Sequence, residues 1–364
     1  MTRERHAVRV LVVEDSPVVR EFLLHILNAE PGIHVVGTAK NGEEAIEFAR
    51  KQKPDLITMD IHMPKVDGFE ATRRIMETVP TPIVIVSGSS TTEDIATTFH
   101  ALEAGALVVI RRPMGIGHPD FEKTAGELRN TVKLMSEVKV IKRWPKPAVR
   151  HEQADRREPV ATFISQPGTR IIADAQIIAI GASTGGPVVL QKIFSELPRD
   201  LGAPVVVVQH IASGFLDGFV EWLNGTSHLP VHVANQGDQL LPGNVYVAPD
   251  GLQFGPEETG RVQLSSAAAE HGMCPSVSFL FRSVAKVYGR RSIGLLLTGM
   301  GRDGSEEPKL LKDLGAVTIA QDRDSSVVYG MPGEAVALGA ATYILSPEKI
   351  IEALKSLIRR NERG

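Results

Sequence analysis

The sequence predicts an α/β protein with two doubly wound parallel-sheet domains joined by a linker. Its 364 residues suggest about two domains at roughly 150 residues each. Short apolar runs alternate with segments whose apolar residues recur at helical spacing, which is the pattern of βα units. Residues 138–170 lose this periodicity and contain four prolines. We therefore predict a first domain at 1–137, a linker at 138–170 and a second domain at 171–364.

Five apolar runs predict five strands in the first domain. Apolar residues at positions 18, 19, 22, 23, 26 and 27 predict a helix between the first two runs. Five βα units imply a flavodoxin-like parallel sheet with helices on both faces. The runs are Val8–Val13, His34–Thr38, Leu56–Met59, Ile83–Val86 and Leu107–Ile110.

The second domain repeats this pattern and predicts a Rossmann-like α/β fold. Leu252–Ser265 has two glycines and a proline near its middle, which predicts an antiparallel hairpin insertion. Ser346 and Pro347 form a good N-cap and first turn for the last helix. The predicted parallel strands are Ile177–Ile180, Val205–Val208, Val231–Ala234, Val245–Ala248, Ile293–Leu297, Val317–Ala320 and Tyr343–Leu345.

Composition excludes several classes of protein. With 43% hydrophobic and 23% charged residues the chain is globular, not disordered or collagen-like, and its one cysteine, Cys274, cannot form an intramolecular disulfide. Forty basic and 43 acidic residues give no overall attraction to nucleic acid or anionic membranes. No apolar run approaches a membrane span of about 18 residues, and no signal peptide is recognisable. We expect a cytoplasmic protein that neither binds nucleic acid nor inserts into membranes.

The linker carries eight Lys/Arg and three Asp/Glu residues. Such a segment is either a solvated tether or a contact for an acidic partner, and the sequence leaves both interpretations open.

Carboxylates follow two strands of the first domain, where the carboxyl ends of parallel strands converge on one rim of the sheet. Glu14 and Asp15 follow the first strand and Asp60 follows the third. Such acids can simply cap helices, but three together repel one another unless a cation intervenes, and oxygen ligands suit Mg²⁺. Ser87 and Arg112 follow the fourth and fifth strands and add a hydroxyl and a cation to the rim.

The segments Val-Val-Glu14-Asp15-Ser16, Met59-Asp60-Ile-His-Met63-Pro64-Lys-Val-Asp67-Gly68 and Val86-Ser87-Gly88 resemble the receiver domain of two-component response regulators. The resemblance implies that a histidine kinase phosphorylates Asp60. It further implies that Glu14, Asp15 and Asp60 hold Mg²⁺, and that Ser87 and Arg112 contact the phosphoryl group. The family usually has Lys at the position of Arg112 and an aromatic residue at that of Val109. An Arg side chain keeps the charge but is a planar fork, and Val109 lacks the ring that usually reports the switch.

Ser183 lies on a glycine-rich turn directly after a predicted strand of the second domain. Glycines allow a sharp strand-to-helix turn whose free N–H groups stabilise an oxyanion or cradle a phosphate, and the turn alone does not decide between these functions. His210 and Asp303 follow two other strands. Either residue alone is explained by a structural role, but the three together have the arrangement of an acyl-transfer triad. The order Ser, His, Asp differs from that of α/β-hydrolases.

A thiol nucleophile is a weaker candidate. His271 and Cys274 are close in sequence, but their segment does not follow a strand. We therefore expect Cys274 to be a loop residue.

Six segments of the second domain resemble the catalytic domain of the CheB family of chemotaxis methylesterases, and the order of receiver, linker and esterase is similar as well. The segments are Ile180-Gly-Ala-Ser183-Thr-Gly-Gly186-Pro187, Gln209-His210, Tyr246-Val-Ala-Pro249, Pro275-Ser-Val-Ser-Phe-Leu-Phe-Arg-Ser-Val-Ala285, Leu297-Thr-Gly-Met-Gly-Arg-Asp-Gly304 and Tyr329-Gly-Met-Pro332.

The resemblance implies that Ser183 is the nucleophile, His210 the general base and acid, and Asp303 the orienting carboxylate. It places the oxyanion hole at the N–H groups near Thr184 and Met300. The implied reaction hydrolyses glutamate γ-methyl esters on the cytoplasmic helices of methyl-accepting chemoreceptors, without a cofactor for the esterase, and some relatives deamidate glutamines. The family usually has His at the position of Gln253 and often has prolines where Ala212 and Ser213 stand, which we place on the substrate rim.

Two alternatives stay open at this point. The second domain could bind a partner without catalysis, or the esterase could serve an array other than chemoreceptors. We also hypothesise that the unmodified receiver covers the rim around Ser183 and that phosphorylation of Asp60 shifts the protein toward an open state.

Overall fold

The computed structural model describes residues 7–88, 91–138, 140 and 175–358. The chain divides into two compact units, Met1–Glu152 and Gln153–Gly364. The predicted linker lies almost wholly outside the described residues, so the domain limits stay a prediction. Within the described ranges no helix combines the length and the apolar character that crossing a membrane requires.

The first unit contains a five-stranded parallel sheet with the strand order β2-β1-β3-β4-β5. Its strand order reverses between β1 and β3, which is where ligands bind in sheets of this kind. The strands are β1 (Val8–Val13), β2 (Ile33–Ala39), β3 (Leu56–Met59), β4 (Ile83–Ser87) and β5 (Val108–Arg111). The helices are α1 (Pro17–Asn28), α2 (Gly42–Gln52), α3 (Gly68–Thr78), α4 (Thr92–Ala104) and α5 (Phe121–Ser136).

The second unit has a seven-stranded parallel sheet with the order β14-β13-β12-β6-β7-β9-β8, together with the antiparallel hairpin β10-β11. The strands are β6 (Ile177–Ala182), β7 (Val205–Gln209), β8 (Val231–Val233), β9 (Val245–Val247), β10 (Gln253–Pro256), β11 (Val262–Ser265), β12 (Ser292–Leu296), β13 (Val317–Gln321) and β14 (Tyr343–Leu345). The helices are α6 (Gly186–Glu196), α7 (Leu216–Thr226), α8 (Val277–Val287), α9 (Glu307–Asp313), α10 (Met331–Ala337) and α11 (Pro347–Ile358), and Gly289–Arg291 forms a 3₁₀ turn.

Side-chain caps fix where several helices begin. Ser16 and Asn41 accept hydrogen bonds from N–H groups in the first turns of α1 and α2, and Asp67 does the same for α3. In the second unit Ser276 caps α8, and Ser346 accepts a bond from the Lys349 N–H at the start of α11. The predicted start of the last helix is confirmed.

The predicted fold class and the hairpin insertion are confirmed. Nearly every strand lies within one or two residues of its predicted limits because the central strands are buried along their full length. Helix α8 packs closely against β6, where a Cβ on Gly181 would lie 2.2 Å from the Val277 Cγ1 atom. Only glycine therefore lets α8 approach the strand that precedes Ser183.

The core of the second unit is expected to depend on Phe281 of α8, whose side chain is fully buried. Phe281→Ala leaves a cavity near Gly294 of β12 and should lower the free energy of unfolding by about 3–5 kcal/mol. Phe279→Ala on the same helix is the matched control, because Phe279 is partly exposed. Urea unfolding of the full chain measures both variants, and equal losses would contradict the burial described here.

Candidate active site and acidic receiver site

Ser183, His210 and Asp303 follow three neighbouring strands of the second sheet. In the strand register Ala182 of β6 lies beside Gln209 of β7, and Gly181 lies beside Leu296 of β12. The sheet order reverses between β6 and β12, so the loops after these strands border a crevice. The structure thus brings the three predicted residues to one edge of the sheet.

The turn that carries Ser183 has little room for side chains. Gly185 has a φ of 80°, and a Cβ on Gly186 would lie 2.2 Å from the Gln209 Oε1 atom. The Gln209 amide donates hydrogen bonds to the carbonyl oxygens of Ser183 and His210, at 2.9 and 2.8 Å. Gln209 therefore ties the serine turn to the histidine strand.

Asp303 is 3% exposed and is held by four donors. Its Oδ2 atom accepts from His210 Nε2 at 2.9 Å and from the Val277 N–H at 2.7 Å. Its Oδ1 atom accepts from Ser276 Oγ at 2.8 Å and from the Ser278 N–H at 3.0 Å. Asp303 thus lies at the N-terminus of α8, where the helix dipole favours negative charge.

These donors decide the charge of Asp303. Burial acts to raise its pKa, but hydrogen bonding and the charge of His210, with the Val277 and Ser278 N–H groups, lower it to about 2. Asp303 therefore stays ionised at neutral pH and accepts a hydrogen bond from the His210 Nε2–H group. Sequence analysis did not single out Ser276, although a serine directly before an apolar helical segment is an N-cap signal.

The other ring nitrogen of His210, Nδ1, is buried and has no hydrogen-bond partner in the described part of the chain. A neutral ring that donates from Nε2 leaves a lone pair on Nδ1, which is the atom able to act as a base. Ser183 Oγ makes no hydrogen bond to it within the described ranges. The structure thus shows the carboxylate–imidazole pair beside the serine, without the serine–imidazole bond.

The backbone N–H groups of Thr184 and Met300 donate to no acceptor among the described residues, and neither do those of their neighbours Gly185 and Gly301. The Ser183 N–H itself is occupied by the Thr298 carbonyl oxygen at 3.0 Å. Thr298 Oγ1 donates to the Thr184 carbonyl oxygen at 2.9 Å, and the buried Gln321 accepts from the Thr298 N–H. Sequence analysis missed Thr298 and Gln321 because their roles depend on contacts between distant loops.

The acidic site of the first unit lies where its strand order reverses. One ligand atom each from Glu14, Asp15 and Asp60 lies within 4.8 Å of the others, and this is the one such cluster among the described residues. Glu14 and Asp60 are buried and Asp15 is exposed. Burial and the nearby Asp60 raise the pKa of Glu14 to about 7, and burial is also the main cause that raises the pKa of Asp60. Three oxygen ligands with poorly compensated charge fit Mg²⁺.

Arg112 reaches this site from the end of β5. Its Nη2 atom lies 3.3 Å from Glu14 Oε2 and 4.0 Å from Asp60 Oδ1. Its Nε atom is buried and has no hydrogen-bond partner among the residues that the structure describes, and a Cβ on Gly88 would lie 2.9 Å from its Cζ. Ser87 is buried at the end of the neighbouring strand β4, and Val109 is buried in β5. The five predicted residues of the receiver site are therefore close together.

Cys274 and Gln253 lie in different environments. Cys274 lies in a loop, and burial raises the pKa of its thiol, which disfavours a nucleophilic thiolate. Gln253 does not line a substrate rim as predicted: its side chain is fully buried and hydrogen-bonded. Its burial arises from contacts with the segment before α8, which one position in the sequence does not reveal.

Comparisons with known proteins cover both units. Residues 178–354 match the family model of the CheB methylesterase, and residues 10–118 match that of the response regulator receiver domain. A protein-glutamate methylesterase/protein-glutamine glutaminase of Nitrosospira multiformis is 54% identical over 98% of both chains. A protein of the same name from Geobacter metallireducens is 53% identical over 96% of this chain and 99% of its own. The crystal structure of the Thermotoga maritima CheB methylesterase catalytic domain is 37% identical, covers 50% of this chain and 99% of its own, and has a TM-score of 0.49.

Identity of this level over nearly the full length establishes the family and agrees with the resemblance of both predicted domains. The chain therefore belongs to the CheB family of protein-glutamate methylesterases/protein-glutamine glutaminases, enzymes with a response regulator receiver domain and a methylesterase domain.

Proposed function

We propose that this protein hydrolyses glutamate γ-methyl esters on methyl-accepting chemoreceptors by a Ser183-His210-Asp303 triad, and that phosphorylation of Asp60 regulates the reaction. The observation that carries the catalytic part is the buried pair of His210 and Asp303 beside Ser183, with the imidazole Nδ1 unpaired within the described part of the chain. A domain that only bound a partner would not need a buried carboxylate hydrogen-bonded to an imidazole beside a serine.

Acylation begins when Nδ1 of His210 accepts the proton of Ser183 Oγ, after a hydrogen bond between them has formed. The serine oxygen attacks the ester carbonyl carbon, and the resulting oxyanion accepts hydrogen bonds from the Thr184 and Met300 N–H groups. His210 then gives its proton to the leaving methoxide, so that methanol departs and an acyl-enzyme remains.

Deacylation repeats these proton transfers with water as the nucleophile and yields glutamate. Asp303 remains ionised throughout because four donors hold it, so its role is to fix the Nε2–H tautomer. Deamidation of glutamine would follow the same steps with ammonia as the leaving group. The names of the relatives, which include a protein-glutamine glutaminase activity, favour this second reaction.

In the receiver, Asp60 would accept a phosphoryl group from a chemotaxis histidine kinase. Glu14, Asp15 and Asp60 would hold Mg²⁺, which when bound neutralises charge on the transferred group. Ser87 and Arg112 lie where they could contact the phosphoryl oxygens. The proposed substrate, the cytoplasmic helices of chemoreceptors, implies that the protein works in the cytoplasm.

Removal of the nucleophile tests the triad. Ser183→Ala should abolish methanol release from methylated chemoreceptor membranes, and Asp303→Asn should lower kcat by about 10³–10⁴-fold because the tautomer is no longer fixed. Ser195→Ala, on α6 away from the strand ends, is the matched control and should behave as wild type.

Two results would contradict the triad proposal. Methanol release that persists in Ser183→Ala would exclude a serine mechanism. Absence of release from any receptor with the wild-type protein would favour a silent binding domain or a different array.

Regulation is tested with a small-molecule phosphodonor and Mg²⁺. Methanol release should rise on the order of tenfold, equivalent to a shift of about 1.4 kcal/mol between resting and active states. Asp60→Asn should remove this response and retain the basal rate. Asp67→Asn is the control, because asparagine still caps α3. An equal response in Asp60→Asn would disprove regulation through this aspartate.

Mg²⁺ binding should depend on pH because the cation requires an ionised Glu14. A carboxyl group with a pKa of about 7 is protonated below that pH, so acidification should weaken Mg²⁺ binding by up to about tenfold per pH unit. Calorimetric titration between pH 5.5 and 8.5 measures this slope, and Glu14→Gln should reduce it. Glu21→Gln, on the exposed side of α1, should leave it unchanged. An identical slope in Glu14→Gln would show that Glu14 does not bind the metal.

A further inference from the structure

A buried amide lies beside the proposed triad without touching it. Gln253 opens the hairpin strand β10 and is 0% exposed. Its Nε2 atom donates to the Ala268 carbonyl oxygen at 3.0 Å, and its Oε1 atom accepts from the Ser276 N–H at 2.9 Å. Both ends of the amide are thus satisfied, and each bond holds the backbone segment that leads into α8.

This segment controls how Asp303 is held. The Ser276 N–H donates to Gln253 Oε1, while the Ser276 Oγ donates to Asp303 Oδ1 at 2.8 Å and accepts from the Phe279 N–H at 3.3 Å. The N–H groups of Val277 and Ser278, which follow directly, complete the bonds to Asp303. A shift of Ser276 would therefore displace three of the four donors to the carboxylate.

We propose that Gln253 is a positioning residue of the esterase, whose amide keeps the N-terminus of α8 aligned on Asp303 at every pH. The inference rests on the proposed triad. An amide supplies one donor toward Ala268 and one acceptor toward Ser276, and it does not titrate. The hairpin is thereby joined to the proposed catalytic pair through a path of two hydrogen bonds.

A histidine at position 253 would supply the same pattern only when neutral. A protonated imidazole has two donors, and one would then face the Ser276 N–H donor. Glutamate would have the opposite pH dependence. Its ionised carboxylate presents an acceptor to the Ala268 carbonyl oxygen, and only the protonated form can donate to that oxygen.

Other charges near this path must be considered when pH is varied. Within the described residues β11 contributes none. The titratable and charged groups on the remaining elements packed against Gln253 are Glu270, His271 and Cys274 before α8, Arg282 and Lys286 on α8, and Asp303. They are common to all variants, so ratios of variant to wild-type rates cancel their titration.

The test measures how fast the full-length protein reacts with a fluorophosphonate, which labels an activated serine without any receptor. Rates are compared with wild type at each pH from 5 to 8.5. Gln253→His should lie within about threefold of wild type at pH 8.5 and fall about tenfold further at pH 5.5, when the imidazole is charged. Gln253→Glu should show the opposite trend, with its larger loss at high pH.

Gln263→His is the matched control, because it makes the same substitution at an exposed position on the partner strand β11. It should match wild type at every pH. Thermal melting at each pH separates folding from positioning: a merely structural role would lower the melting temperature and leave the labelling rate of folded protein unchanged. Gln253→Met, uncharged and of similar length, should lose labelling rate at every pH, and it decides the question if neither titrating variant folds.

The outcomes distinguish the two proposals. Rate ratios of Gln253→His and Gln253→Glu that do not vary with pH, or a folded Gln253→Met with the wild-type rate, would overturn the role of Gln253 while leaving the triad intact. A wild-type protein that is not labelled, or one whose labelling persists in Ser183→Ala, would instead overturn the triad itself.

Discussion

The second unit depends on one buried negative charge that is fully compensated. An unpaired carboxylate at the position of Asp303 would be costly because burial opposes its ionisation. The N-terminus of α8 and the imidazole of His210 together reverse this effect and lower its pKa to about 2. Much of the local structure serves this arrangement, including the contact of Gly181 with Val277 and the cap formed by Ser276. The orientation of His210 follows from it.

Two buried carboxylates, Asp303 and Glu14, show why similar groups serve different purposes. Each lies where the strand order of its sheet reverses, but only Asp303 receives enough donors to offset burial. Glu14 has raised pKa because burial and a neighbouring carboxylate outweigh Arg112 and one backbone hydrogen bond. A compensated carboxylate is suited to orient a partner, whereas an undercompensated one is suited to attract a cation.

Sequence analysis could predict the positions of the sites because parallel sheets place the residues after their strands on one rim. The long buried strands make these ends visible as apolar runs, so Ser183, His210 and Asp303 could be located without coordinates. The choice of ring nitrogen could not be predicted, because it depends on which side of His210 the N-terminus of α8 approaches. The burial of Gln253 was misjudged for a similar reason, since it arises from packing between the hairpin and α8.

The hydrogen bonds around Asp303 also give the hairpin insertion a structural role. A Rossmann-like sheet does not need an antiparallel hairpin to place residues at its strand ends. The two strands β10 and β11 form a separate sheet. The hairpin contributes the side chain of Gln253, whose Oε1 atom accepts a hydrogen bond from the N–H of Ser276, the N-cap residue of α8. The donors to Asp303 are thus aligned by a second layer of hydrogen bonds. The position of Asp303 and His210 in the proposed active site therefore depends on these hydrogen bonds as well as on the sheet. Without them, the side chains of Gln253 and Ser276 would not hold the N-terminus of α8 against Asp303.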